Sequence, residues 1–115
     1  MDMEREFKKQ QFHMYLLLSI SNIEQHPLIR LLVENNISER EYHQLLALLD
    51  ELDDIFTEWK EEGYLNFDKL LIWFVGSLCE KLDPELTIKA FLHEGIYSEL
   101  MKQLLHLHDK YKKND

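Results

Sequence analysis

The stretch ISEREYHQLLALLDELDDIFTEWKEEG, residues 37–63, reads as one complete helix with both of its ends written into it. Ser38 stands where an N-cap accepts a backbone N–H, and Glu41 follows three residues later to return the bond, which is the capping-box pattern. Ile37 and Tyr42 flank the cap as a hydrophobic staple. Gly63 closes the stretch as a residue able to take the left-handed conformation that terminates helices. Between these ends Tyr42, Leu45, Leu49, Leu52, Phe56 and Trp59 recur at alternating intervals of three and four, the seam of a coiled-coil-like contact. Leu46, Leu48 and Ile55 widen that seam, so the helix is expected to pack against two neighbours.

The same logic extends in both directions. Upstream, a first helix is expected from about Glu4 to Glu24. It carries Phe12, the five consecutive apolar residues Met14, Tyr15, Leu16, Leu17 and Leu18, and then Ile20 and Ile23. An apolar run without a polar face demands burial on more than one side. Pro27 then opens a short helix to about Glu34, since proline is tolerated at the first helical position, and Asn35 and Asn36 stop it. Downstream, Asn66 or Asp68 starts a helix whose centre, LLIWFV from Leu70 to Val75, is continuously apolar and continues through Leu78 and Cys79. It reads as the central buried helix, with Gly76 either marking a close crossing of two helices or simply tolerated in the helix interior. Asp83 before Pro84 is a second clean start. Gly95 ends or bends that helix. The last helix carries Tyr97, Leu100, Leu104, Leu107 and Tyr111 at three-four spacing.

Bulk properties agree with this all-α reading. Three glycines and two prolines in 115 residues are too few turn signals for an all-β chain. Neither a repeat nor a linker divides the sequence, so residues 1–115 are expected to form a single helical domain, a multihelical bundle of about five to six helices. A formal charge of −9 works against nucleic-acid binding, because a phosphate-binding surface needs lysine and arginine. The one concentrated basic stretch, Lys110, Lys112 and Lys113, suits the negative end of a helix. A lone Cys79 cannot form an internal disulfide and fits a reducing compartment. The opening MDMEREFKKQ lacks the order of a signal peptide, and no apolar run is long enough to span a bilayer, which together point to the cytoplasm and away from membranes.

Chemistry is harder to find. Asp50, Glu51, Asp54, Glu58 and Glu61 crowd one helix, with Asp50, Asp54 and Glu58 stepping by four along a face that is either simply solvated or an acidic docking surface. No Glu-x-x-His pair of the bundle di-metal type and no calcium-loop spacing occurs. Six histidines are present, but His106 and His108 are two apart and point in different directions, and Glu39 and His43 read as an exposed pair. Cys79 sits in an apolar run without a base, and no serine elbow or phosphate loop appears. No catalytic, cofactor-binding or metal-binding residue is therefore assigned, and the chain reads as a non-enzyme.

The quantitative hint is a surplus of apolar helix. The first and fourth helices are apolar around most of their circumference, more than so short a chain can cover by itself. Leu17, Leu18, Leu45, Leu49, Leu52, Phe56, Trp59, Leu71, Trp73, Phe74, Leu100 and Leu104 are expected either in the core or on a seam between copies, and a homo-oligomer is the expected solution. A different protein partner, of unknown identity, is the competing possibility. A small helical enzyme, or a ligand- or metal-binding protein with a site between subunits, is the functional alternative.

At ISEREYHQLLALLDEL, GYLNFDKLLIWFVGSL and LDPELTIKAFLHEGIYSELM, in that order, the sequence resembles the YhaI-like family of small helical proteins from Bacillus-type bacteria. The resemblance covers essentially the whole chain. It implies a multihelical cytoplasmic protein that assembles with itself, and it brings no catalytic residues with it.

Overall fold

The computed structural model describes residues 2–113, and among them every regular element is helical. In chain order these are α1 (Asp2–Leu18), α2 (Pro27–Glu34), α3 (Glu39–Glu61), α4 (Asp68–Ser77), α5 (Pro84–Glu94) and α6 (Ser98–Lys113), with a short 3₁₀ turn at Ile23–Gln25 before α2.

Local chemistry sets most of these boundaries. Ser38 Oγ accepts from the Glu41 N–H at 3.1 Å while Glu41 Oε1 accepts from the Ser38 N–H at 3.0 Å, so the capping box forms at the start of α3. Asp83 caps α5 by accepting from the Leu86 N–H at 2.9 Å, with Pro84 in the first turn. Three helices end alike. The N–H of Ile37, Tyr64 and Ile96 reaches back to the carbonyl of Leu32, Trp59 and Phe91, a closure that needs a left-handed residue just before it. Gly63 and Gly95 supply it at φ of 86° and 74°, and Asn36 does the same for α2 at φ 59°.

Two helices depart from expectation. The first stops at Leu18 rather than Glu24. Beyond it the Ser19 hydroxyl bonds back to the Leu16 carbonyl at 2.6 Å, and Asn22 accepts from the Glu24 N–H at 3.0 Å. These short polar side chains satisfy the backbone locally and remove the incentive to continue the helix. The fourth stops at Ser77, so Leu78 and Cys79 lie outside it.

The core is built on the faces of α2 to α6. Leu28, Leu31 and Leu32 of α2 meet Ile88, Ala90 and Phe91 of α5, and α5 packs in turn on Leu100, Met101, Leu104 and Leu107 of α6. Leu45, Leu49, Leu52 and Phe56 of α3 cover Leu70, Leu71 and Phe74 of α4, with α6 touching both. Trp59 is half-buried at the rim, edge-on to Tyr64. Thr87 is fully buried, but its hydroxyl donates to the Asp83 carbonyl at 2.7 Å, so no polar group there is left unpaired.

Within one chain α1 and α4 are each buried on one side only, which corrects the expectation that α4 is the central buried helix. Phe12 is the one buried residue of α1, and Tyr15, Leu17 and Leu18 face outward. On α4, Ile72, Trp73 and Val75 are exposed, and Trp73 is 40% accessible. Leu17, Leu18 and Trp73 therefore do not belong to the interior of one chain. Nor does Gly76 mark a close crossing, since a Cβ placed there would meet nothing within 4 Å.

The result is an elongated body of 48 × 30 × 29 Å with a radius of gyration of 15.5 Å, against about 13 Å for a compact chain of this length. Its accessible surface of 7878 Å² likewise exceeds the roughly 6,700 Å² that a compact monomer of 14.0 kDa displays.

Candidate functional site

Four places on the molecule bring together groups that carry charge, donors or apolar area. The first is a polar hub where α2, α3 and the α4–α5 connection meet. Glu41 is its centre. Besides the capping bond, its carboxylate accepts from Lys81 Nζ at 2.9 Å and from the Cys79 thiol at 3.6 Å, while Lys81 also donates to the Asn36 carbonyl at 3.2 Å. Partial burial alone would raise the Glu41 carboxyl, but the Ser38 N–H, the Lys81 ammonium and Cys79 outweigh it and hold the group at about 2. Cys79 is thus a hydrogen-bond donor to a carboxylate that stays charged at neutral pH.

Beside the hub lies an open groove of about 1120 Å³ between α1 and the start of α3. Arg5, Lys8, Lys9, Arg40 and Lys81 line it, five of the chain's 13 lysines and arginines. Glu6, Glu39 and Glu41 line it too. Lys9 pairs with Glu6 at 2.8 Å and Lys81 with Glu41, so much of the positive charge is already met from within. These basic residues are scattered from position 5 to position 81, and the sequence offers no pattern by which to group them.

A third cluster was equally hidden. Glu85 at the start of α5 and His108 and Asp109 near the end of α6 place one donor atom each within 4.8 Å of one another, the density of a metal site. His108 Nδ1 is shielded from solvent, has no hydrogen-bond partner and lies 4.0 Å from Asp109 Oδ1. Glu85, however, is held by Lys89 at 2.9 Å and Lys112 at 3.4 Å, and these two ammonium groups keep its carboxyl below its ordinary value. A dication would have to displace both lysines to gain one carboxylate. The arrangement is an ion-pair cluster tying α5 to α6, and Lys112 of the basic C-terminal stretch has its place there.

The fourth place is the outside of the bundle. Asp50, Glu51, Asp54, Glu58 and Glu61 are all exposed on α3, and Asp50 accepts from the Tyr97 hydroxyl at 3.1 Å. Burial, and then Asp54 and Asp50, push the adjoining Asp53 carboxyl up. Lys60 is drawn off to Glu99 at 2.7 Å, so the row stays acidic. The remaining expected residues, Leu45, Leu49, Leu52, Phe56, Leu71, Phe74, Leu100 and Leu104, lie in the core. On α1 the outward face joins Leu17 and Leu18 with Met3, Phe7 and Met14. Met3 and Phe7 are absent from the sequence expectation, although their spacing to Met14 marks them.

These features define an all-helical protein with a paired polar hub, an acidic flank and uncovered apolar helix faces. None of its helices among the described residues is long and apolar enough to cross a membrane. A family described as proteins of unknown function, DUF1878, matches residues 1–108, and the chain belongs to that family.

Proposed function

We propose that this protein works by association rather than catalysis: a cytoplasmic helical module that assembles with itself and leaves the acidic flank of α3 available to a basic surface on another protein. The observation that carries the reading is the surface surplus. About 1,200 Å² more is accessible than on a compact monomer of this mass, and α1 and α4 both turn large apolar side chains outward. Patches of that kind on soluble proteins mark contacts with other polypeptides. The resemblance to YhaI-like proteins supports the same conclusion.

The alternative, a ligand-binding or catalytic bundle, would draw on the groove beside Arg5 and Arg40. The three glutamates on its walls offset most of that attraction, and none of its residues forms a nucleophile–base pair. Light scattering behind gel filtration at micromolar concentration tests the leading reading. The expected mass is a multiple of 14.0 kDa, and a monomer across the whole concentration range would overturn it.

A further inference from the structure

We infer that the outward face of α1 is the self-association surface, and that its occupant is α1 of a second copy of this chain. The inference rests on the proposed self-assembly and adds to it the element and the contact.

The residues that α1 turns outward are not scattered. Met3, Phe7, Gln10, Met14 and Leu17 recur at intervals of four, three, four and three, the repeat by which two helices wrap about a common seam. Phe12, the one residue of α1 that is buried in its own chain, lies on the opposite side of the helix. The helix is thus used twice, once inward and once outward. Within the outward stripe, accessibility is 89% at Met3, 61% at Phe7 and Met14, 40% at Leu17 and 82% at Leu18. At roughly 200 Å² per fully exposed large side chain, these five present on the order of 600–700 Å². That approaches the ~800 Å² each partner contributes to a stable protein interface, and it comes from one helix.

Charge selects the occupant. The molecule carries −9 overall, yet Asp2, Glu4 and Glu6 on α1 are matched by Arg5, Lys8 and Lys9. Two acidic bodies repel each other least where each offers a neutral surface, and α1 is such a surface. An anionic lipid bilayer, the other common occupant of an amphipathic helix, would meet a strongly acidic body carrying no excess of lysine or arginine along this helix. A helix paired with its own copy about a twofold axis also closes on itself, leaving no further seam to extend into a fibre.

Three proteins measured by light scattering across nanomolar to micromolar concentration test the pairing: the wild-type chain, a Phe7→Glu/Met14→Glu variant, and an Ile72→Glu/Val75→Glu variant of the exposed α4 face. The wild type and the α4 variant are expected at twice 14.0 kDa and the α1 variant at 14.0 kDa, with helicity by circular dichroism lowered by no more than the 17 residues of α1. A fourth variant, Gln10→Leu, replaces the polar layer of the seam and is expected to tighten the dimer by tenfold or more, a gain that misfolding cannot produce. A wild-type monomer overturns both the pairing and the self-assembly on which it rests. A dimer that survives the α1 substitutions, or is broken by those on α4, or is indifferent to Gln10→Leu, overturns the pairing alone. A monomer that sediments with phosphatidylglycerol vesicles would make lipid the occupant instead.

Discussion

Replacing Glu41 by glutamine separates the two jobs this carboxylate performs. The amide keeps an oxygen for the Ser38 N–H, so the capping box survives, but the charge that holds Lys81 at 2.9 Å is gone. The folded protein depresses the Glu41 carboxyl from 4.5 to about 2, and each unit of such a shift corresponds to about 1.4 kcal/mol. The ceiling is therefore about 3 kcal/mol. With 26% of the Glu41 side chain and 39% of Lys81 open to water, screening reduces the expected loss at pH 7 to about 1–2 kcal/mol. Because the folded value lies below the unfolded one, the contribution is complete above pH 4.5 and disappears as the pH falls towards 2. Urea unfolding followed by circular dichroism at a series of pH values should show wild type and variant separated at pH 7 and converging below pH 4.5. A gap that stays constant to pH 2.5, or no gap at pH 7, would refute the assignment. Lys81→Met in a double-mutant cycle should return most of the same energy as coupling between the two side chains.

The assignment of helix faces makes a sharp contrast between two large residues. Leu49 is wholly buried against α4, so Leu49→Ala should cost about 2–5 kcal/mol, whereas Trp73→Ala, on an exposed face, should cost the monomer under about 1 kcal/mol in the same urea titration. Equal losses would mean that α4 is turned the wrong way. Asp83→Ala removes the side-chain cap of α5 and should lower stability by about 1 kcal/mol, while Gly76→Ala, in open space near the end of α4, should raise it by about 0.5 kcal/mol; a melting series on both variants checks the signs.

What the sequence disclosed and what it withheld divide along a physical line. The start of α3, the Asp83–Pro84 start of α5 and the stops at Gly63 and Gly95 depend on residues within five positions of each other, and each was legible. The end of α1 was missed because the expectation followed apolar content through Ile20 and Ile23 and gave no weight to the competing hydrogen bonds of Ser19 and Asn22. The outward turn of Trp73 was not legible for a different reason. A run such as LLIWFV has no polar side to show which way it faces, so composition announces burial without saying against what. The groove and the Glu85, His108 and Asp109 cluster join residues from distant helices, and only the packing of those helices brings them together.

The energetics of α1 bear on the pairing proposed above. Nucleating a helix costs about 4 kcal/mol, and a helix of 17 residues by itself is marginal in water. Inward, α1 is secured by the burial of Phe12, by Leu16 at the core's edge, and by the Nε2–H of His13 donating to the Ile37 carbonyl at 2.7 Å. Phe12 and His13 together are worth on the order of 3–4 kcal/mol, close to the cost of starting the helix. On its own chain α1 therefore sits near balance. Covering its outward 600–700 Å² would release about 15 kcal/mol of gross hydrophobic free energy per helix, enough to meet the roughly 4–15 kcal/mol that association costs and to fix the helix as well. In the proposed dimer the folding of α1 and the meeting of two chains would be one event, and the residues that face water in a single copy would be the ones that make the helix worth forming.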